Sequence, residues 1–423
     1  MCGVNPIVDD LLARGLVHDS TDLDALSSRL DAGPLTLYYG CDPSADSLHA
    51  GNLIGLLILR RFADAGHRPI ALVGGATGMI GDPGGRSEER NLLDEATLAH
   101  NVAGIGAQVD GIVGSVATVV NNLDWTKDIS ALEFLRDVGK HVTVNQMLAK
   151  ESIKSRVSSD HGISYTEFSY MLLQANDYWW LHANEACELQ IGGSDQWGNI
   201  VAGVDLIRRR SDGVAHAFTW PLITRSDGEK FGKSAAGAVW LSAERTSPYA
   251  FFQYWMNADD GDVERFLLQL TLLSLDEVSA VAAEHEADPG RRTAQRRLAQ
   301  ELTGLIHGAD AAAAAAEASA ILFGADPANA GVRAFETVAT EVRTVGFDPG
   351  ETVVDALLAT GLAGSRSEAR RHLAGGAVRI NGERADEDRR LDVRDLRHGR
   401  FVLLRKGKKS YALLDAEKDR LPS

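Results

Sequence analysis

The sequence predicts an α/β chain in three parts: a parallel sheet covered by helices over residues 1–245, an all-α domain over 246–325 and, beyond a linker at 326–350, a small α+β domain over 351–416. Three observations predict it. Between residues 35 and 223 short apolar runs alternate with longer segments of helical period, the pattern of a parallel sheet with helices on both faces. From 248 to 323 the period is helical alone. The tail then combines two short helical patterns with a strand and a hairpin.

The strands of the first part are expected at 35–39, 70–73, 116–120, 188–191 and 218–222. Each is followed closely by Gly, Asp or Asn, and in open α/β sheets ligands gather at the carboxyl ends of strands, so the chemistry should lie there. In the helical part, the tract Ala311 to Ala316 reads as a strong helix former with no function of its own. The Gly-, Ala- and Pro-containing stretch 324–350 reads as the linker. In the tail, helices are expected at 353–359 and 367–373, a strand at 378–380 with a turn at Asn381-Gly382, and a hairpin pairing 401–404 with 411–414.

A chain of 423 residues exceeds what one hydrophobic core usually supports, and 44% hydrophobic residues can fill more than one. The formal charge of -16 excludes indiscriminate coating of nucleic acid or anionic membrane but leaves room for a local basic module. Cys2, Cys41 and Cys187 are scattered and odd in number, with no metal-ligand spacing, which points to a reducing compartment and no structural zinc. No apolar stretch reaches membrane-spanning length, and Asp9 and Asp10 stand where a signal peptide would be basic, so a cytoplasmic chain without membrane contact is expected.

After the first strand the chain reads Gly40-Cys41-Asp42-Pro43-Ser44-Ala45-Asp46-Ser47-Leu48-His49-Ala50-Gly51-Asn52, then an amphipathic helix closed by Gly66. A helix start after a strand is an anion site, because unpaired N–H groups and the helix dipole both favour phosphate. Gly51 allows a nucleotide to approach the backbone closely, and His49 adds a side-chain donor. By itself this is an ordinary strand-turn-helix capped by Asp46 or Ser47. A second motif changes the balance: Lys230-Phe231-Gly232-Lys233-Ser234 follows the last strand of the sheet, and two lysines with a hydroxyl on a Gly-containing loop can neutralise a departing pyrophosphate.

Tyr170, Gln174 and Asp177 stand at i, i+4 and i+7 and so share one face of an expected helix. Alone, such a stripe is as readily a solvent-facing surface. The tail collects Arg366, Arg370, Arg371, Arg379, Arg400, Arg405, Lys406, Lys408 and Lys409, a basic excess in an acidic chain.

The paired His-x-Gly-x and Lys-x-x-Lys-Ser motifs resemble the HIGH and KMSKS signatures of class I aminoacyl-tRNA synthetases. The runs 165–175 (YTEFSYMLLQA) and 189–199 (LQIGGSDQWGN), with Gly74-Gly75-Ala76-Thr77-Gly78 and Gly81-Asp82-Pro83-Gly84-Gly85-Arg86, are similar to tyrosyl-tRNA synthetase segments of the bacterial type. The resemblance covers most of the first 240 residues and implies a Rossmann-like catalytic domain that activates L-tyrosine with ATP and transfers it to tRNA(Tyr). It implies that Tyr38 and Asp177 bond the substrate phenol while Asp82, Tyr170 and Gln174 hold its ammonium. For ATP it implies Gly40, Asp42, His49, Gly192 and Asp195, the last on the ribose. Gln196 falls near the reacting carboxylate, Asn52 in the first signature, and Lys230, Lys233 and Ser234 on the pyrophosphate. Gly74, Gly75 and Gly78 receive no chemical role. Mg²⁺ arrives with ATP, and no tightly bound cofactor is expected.

The tail resembles an S-four-type RNA-binding domain, with Arg366, Arg370, Arg371, Lys406 and Lys408 on RNA, and the family resemblance implies a homodimer. Two departures stand out: Asn52 occupies the place of the second signature histidine, and Tyr39 a position near the ribose that is often smaller. Arg86 and Arg90 fall on a loop that could assist phosphate binding. Two rivals remain: a tryptophanyl-tRNA synthetase, disfavoured by Tyr38, Asp177 and the basic tail, and a catalytically silent RNA-binding relative, disfavoured by the intact His49, Asp82, Asp195, Lys230 and Lys233.

Overall fold

The computed structural model describes residues 4–83, 94–158, 162–224, 226, 231–234 and 237–418. Five strands, β1 (Thr36–Cys41), β2 (Arg68–Val73), β3 (Thr118–Asn121), β4 (Cys187–Gly193) and β5 (His216–Trp220), form one parallel sheet in the order β3-β2-β1-β4-β5. All five coincide with expected strands to within a few residues. β1, β2, β4 and β5 are almost wholly buried, which is why their sequences are apolar runs and not alternating ones. The order reverses between β1 and β4, where Tyr38 is registered with Ile70 on one side and Gln190 on the other. A crevice opens at such a reversal, beyond the carboxyl ends of the two strands.

Four helices define that crevice: α1 (Leu53–Asp64), α2 (Gly75–Ile80), α3 (Tyr165–Glu185) and α4 (Trp197–Ser211). α1 buries Leu53, Ile54, Leu56, Leu57, Ile58, Leu59 and Phe62. α3 starts at Ser164, whose hydroxyl accepts from the Glu167 N–H, and stops at Ala186 in the left-handed region (φ 49°). Tyr38, Ile70 and Leu72 from the sheet pack with Tyr178 and Leu181 of α3 and Ile207 of α4. Tyr178 donates to the His216 carbonyl at 2.7 Å, which ties α3 to the edge strand.

Two two-residue strands, β6 (Lys233–Ser234) and β7 (Gly237–Ala238), make a small ribbon after the sheet. Helices then follow at Pro248–Met256, Val263–Leu270, Leu275–Ala287, Thr293–His307 and Ala309–Leu322, the last containing the alanine tract. The chain divides into two compact units, one of residues 1–246 with 258–298 and one of 247–257 with 299–423. The helical stretch is therefore shared between units, although periodicity alone suggests a domain of its own.

The expected linker also holds structure: α5 (Val332–Glu341) and β8 (Arg343–Gly346) lie within 326–350. Its Gly, Ala and Pro content hides a short amphipathic helix that buries Ala334, Phe335 and Val338. β8 finds its partner only through tertiary structure, pairing in parallel with β12 (Ser410–Asp415) far downstream. Between them lie β9 (Val378–Ile380), β10 (Glu383–Arg384) and β11 (Phe401–Lys406), giving the order β10-β9-β11-β12-β8. Asn381 and Gly382 both have positive φ (48° and 91°), the conformation a two-residue hairpin turn requires. Residues Val402, Leu404 and Leu414 face α6 (Val353–Ala359) and α7 (Arg366–Ala374), while Phe401, Leu403 and Leu413 pack with Phe335 of α5 and Ile321. The hairpin thus has two buried faces.

Candidate active site

One cavity of about 380 Å³ occupies the crevice at the carboxyl ends of β1 and β4. Tyr38, Gly40, Asp42, His49, Asn52, Asp82, Tyr170, Gln174, Asp177, Gly192, Asp195 and Gln196 all line it, although they are spread over more than 150 residues of sequence. Four segments deliver them: the end of β1 with the turn into α1, the end of α2, the buried face of α3, and the end of β4.

At the deep end, Tyr38 is 1% exposed, and its hydroxyl is buried with no hydrogen-bond partner among the described residues. Asp177, 2% exposed, stands on α3 with both oxygens held: Trp125 Nε1 donates to one at 2.9 Å and Asn122 Nδ2 to the other at 2.8 Å. Burial pushes the Asp177 carboxyl up to about 7; the two donors and nothing larger restrain the rise, and the charge of Asp42 adds to it. Burial, then the nearby Asp177 charge, raises the Tyr38 phenol well above its usual value. At neutral pH the phenol of Tyr38 is therefore a donor, next to a carboxyl poised between its two states.

The middle of the cavity is a polar chain. Asn122 donates to Thr77 (3.0 Å), Thr77 to Asp42 Oδ1 (2.9 Å), and Tyr170 to Asp42 Oδ2 (3.1 Å). A Cβ on Gly74 would lie 2.5 Å from Asp42 Oδ1, so glycine there leaves room for the Asp42 to Thr77 bond. Asp82 accepts from Gln196 Nε2 at 2.8 Å and from Lys150 Nζ at 3.3 Å. Gln190 reaches the same cavity from β4, its buried side-chain carbonyl without a partner among the described residues.

At the outer end, His49 and Asn52 cap each other's turn. His49 Nδ1 accepts from the Gly51 N–H at 3.0 Å, and Asn52 Oδ1 accepts from the His49 N–H at 3.2 Å. With Nδ1 accepting, the neutral ring carries its hydrogen on Nε2, a donor. Asn52 Nδ2 points at the Tyr39 hydroxyl at 3.5 Å. The Tyr39 ring covers Gly55, where a Cβ would lie 2.5 Å away, and meets Trp220 edge-on at 5.5 Å.

The second motif comes to the first through the backbone. The Ala50 N–H donates to the Val239 carbonyl (2.8 Å), the Leu241 N–H to that of Leu48 (2.9 Å), and the Val239 N–H to that of Gly232 (2.9 Å). Gly232 has φ +75°, and a Cβ on it would lie 3.1 Å from the Gly51 nitrogen. Arg245, paired with Asp46 at 2.5 Å, spreads over the Trp240 ring. Lys230, Arg86 and Arg90 lie outside the described residues, as do the side chains of Lys233 and Ser234.

Asn122, Trp125 and Lys150 escaped the sequence reading, while Thr77, Gln190 and Asn199 fell within the family-like runs without a role of their own. Asn122 alone carried a signal, a polar residue just past an expected strand. Trp125 sits in a short helix and Lys150 at the corner between two, where nothing local distinguishes them. In the C-terminal unit, Arg366, Arg370, Arg371 and Lys408 are exposed. Arg366 pairs with Asp355 at 2.5 Å, and half-buried Lys406 donates to the Leu362 carbonyl. The Gly407 N–H bonds the Ala377 carbonyl at 2.8 Å, which brings the hairpin end to the region just after α7.

Residues 30–324 match the family described as tRNA synthetases class I (W and Y), and residues 334–414 match the tyrosine–tRNA ligase SYY-like C-terminal domain. The tyrosine–tRNA ligase of Opitutus terrae is 49% identical, over 96% of this chain and 99% of its own. That of Acidothermus cellulolyticus is also 49% identical, over 96% and 98%. Among solved structures, a C-terminally truncated mitochondrial tyrosyl-tRNA synthetase of Aspergillus nidulans superposes with a TM-score of 0.69 at 32% identity, covering 75% of this chain and 94% of that one. A tryptophanyl-tRNA synthetase of Encephalitozoon cuniculi reaches 0.55 at 11% identity, over 72% and 88%, a likeness of fold alone.

Proposed function

The chain belongs to the class I tRNA synthetases of the tryptophan and tyrosine group, and on that premise we propose that it activates L-tyrosine with ATP and esterifies it to tRNA(Tyr). The observation that carries the choice of amino acid is the buried Tyr38 hydroxyl, without a partner among the described residues, beside Asp177 in the cavity. Such a pair suits a substrate hydroxyl that both donates and accepts, and phenylalanine would leave the Tyr38 hydroxyl unsatisfied.

Tyr38 and Asp177 hold the phenol, and Asp82, Tyr170 and Gln174 receive the ammonium. Gln196, bonded to Asp82, lies beside the substrate carboxylate. That carboxylate attacks the α-phosphorus of MgATP in line, forming the tyrosyl-adenylate as pyrophosphate leaves. A carboxylate is already a nucleophile, so no general base is needed, and positioning with charge neutralisation supplies the acceleration. Gly40, Asp42 and Gly192 border the nucleotide, Asp195 takes the ribose, and His49 donates through Nε2. Asn52 keeps His49 in place, while Lys230, Lys233 and Ser234 close on the pyrophosphate. The terminal ribose hydroxyl of tRNA then takes the tyrosyl group from the adenylate.

Arg366, Arg370, Arg371, Lys406 and Lys408 contact the RNA backbone on this reading. The protein acts as a cytoplasmic homodimer. The apolar side chains left exposed between residues 132 and 165, among them Leu132 (80%), Val144 (59%) and Tyr165 (70%), support the dimer. Among the described residues, no helix is long and apolar enough to cross a membrane.

The test is exchange of labelled pyrophosphate into ATP with tyrosine, phenylalanine or tryptophan offered singly. Exchange with tyrosine alone is expected. Exchange driven by tryptophan moves the chain to the sister specificity, and none at all makes it a silent RNA-binding relative.

A further inference from the structure

Lys150 donates to Asp82, which lines the cavity, from just outside that lining. It stands at the corner between two short helices, Val144–Ala149 and Glu151–Val157, and its side chain is only 7% exposed. Its stem runs along Gly198 of α4, where a Cβ would lie 3.3 Å from Lys150 Cγ. Its ammonium reaches Asn199 Oδ1 at 2.8 Å and Asp82 Oδ1 at 3.3 Å.

A lysine has donors and no acceptor, so it dictates the sense of every bond beyond it. Asn199 must turn its carbonyl to Lys150, which sends its amide to Gln196 Oε1 (3.0 Å) and Asp82 Oδ2 (3.4 Å). Gln196, its carbonyl thus engaged, donates Nε2 to Asp82 Oδ2 at 2.8 Å. Lys150 therefore places a positive charge at Asp82 and orients the two amides beside it. Burying an ammonium is costly unless it is matched, so this arrangement has a definite electrostatic consequence for whatever else approaches Asp82.

We propose that Lys150 is a positioning residue that sets the balance between the two ends of the amino-acid substrate: it shares Asp82 with the substrate ammonium, weakening the grip there, and attracts the substrate carboxylate toward Gln196. The inference rests on the reading above that Asp82 receives the ammonium. An α-amino acid carries its carboxylate two bonds from its ammonium, so a cation sharing the ammonium's acceptor is within a few ångströms of the carboxylate. Lys150 is repulsive to one group and attractive to the other. The outcome is a nucleophile held by its reacting end.

Two analogues separate these effects: tyramine, with ammonium and no carboxylate, and 3-(4-hydroxyphenyl)propionate, with carboxylate and no ammonium. Their dissociation constants are measured by calorimetry on the full chain, on Lys150→Met, Lys150→Arg and Asp82→Asn, with Lys150→Gln as the second neutral variant should the methionine variant not fold. Loss of the cation is expected to tighten tyramine by about threefold or more and weaken the propionate by about threefold or more, opposite signs from one substitution. Lys150→Arg keeps both analogues near their original affinities. If both analogues weaken together, or neither moves, while Asp82→Asn still weakens tyramine, Lys150 is only a packing element and the proposal falls. If Asp82→Asn leaves tyramine unchanged, the placement of the ammonium is wrong and takes the proposal with it.

Discussion

On the proposed reading, Tyr38 and Asp177 set the specificity of this cavity. Tyr38→Phe removes one neutral hydrogen bond to the substrate phenol, so the KM for tyrosine in pyrophosphate exchange should rise by about 2- to 10-fold with little change in fold stability. An unchanged KM would place the phenol elsewhere. Asp177 makes a second prediction, through pH. Its carboxyl is raised to about 7 in the folded chain, against an ordinary aspartate near 3.8 when unfolded. Between those values the folded protein binds the extra proton, so stability falls as pH rises from about 4 through 7, by up to about 4 kcal/mol for this group. Asp177→Asn has no such proton. The stability of the wild type relative to Asp177→Asn should therefore decline across that interval in urea titrations, and a difference that stays flat with pH would refute the buried, shifted carboxyl.

At the scale of elements, the joining of the two signature segments depends on backbone more than on side chains. Gly232 takes a positive φ within about a van der Waals contact of Gly51, and the carbonyls of Leu48 and Val239 complete the pairing. Gly232→Ala imposes about 1–2 kcal/mol of backbone strain on that junction. Pyrophosphate exchange should slow by about tenfold while tyrosine binding, measured without ATP, stays near its original value. Equal loss of both would mean that the loop supports the tyrosine end as well. The strands and α3 were legible in sequence because each is a long, periodic or uniformly apolar run. α5 and β8 were not, since one is short and rich in small residues and the other has a partner some seventy positions away.

At the scale of the whole molecule, the net charge of -16 conceals a basic stretch over residues 351–416, where 14 Lys and Arg stand against 10 Asp and Glu. If Arg366, Arg370, Arg371, Lys406 and Lys408 each meet a phosphate, the logarithm of tRNA affinity should fall against the logarithm of salt concentration with a slope of about -3 to -5. Arg370→Ala should make that slope shallower by about 1, and a slope near zero would exclude this surface as the RNA contact. Lys406, whose ammonium already bonds the Leu362 carbonyl, is the member expected to contribute least. On the dimer reading, light scattering should give twice the 45.4 kDa chain mass, and replacing Leu132 and Tyr165 with charged residues should shift it toward the monomer. A monomer in the unaltered protein would remove the need for a covered apolar face.

The sequence by itself determined the parallel sheet, the helices flanking it and the tail's hairpin, because periodicity and turn residues are local and each element states its own. It also named side chains that meet in the cavity, since the first signature and the Tyr170, Gln174 and Asp177 stripe are read directly from the chain. Only the tertiary structure decided who holds those side chains in place. Trp125 and Asn122 on Asp177, Thr77 on Asp42, and Lys150 with Asn199 on Asp82 come from segments distant in sequence. A hydrogen bond across folded space leaves no period, no spacing and no composition behind it, so a supporting residue is invisible until the chain has closed around it.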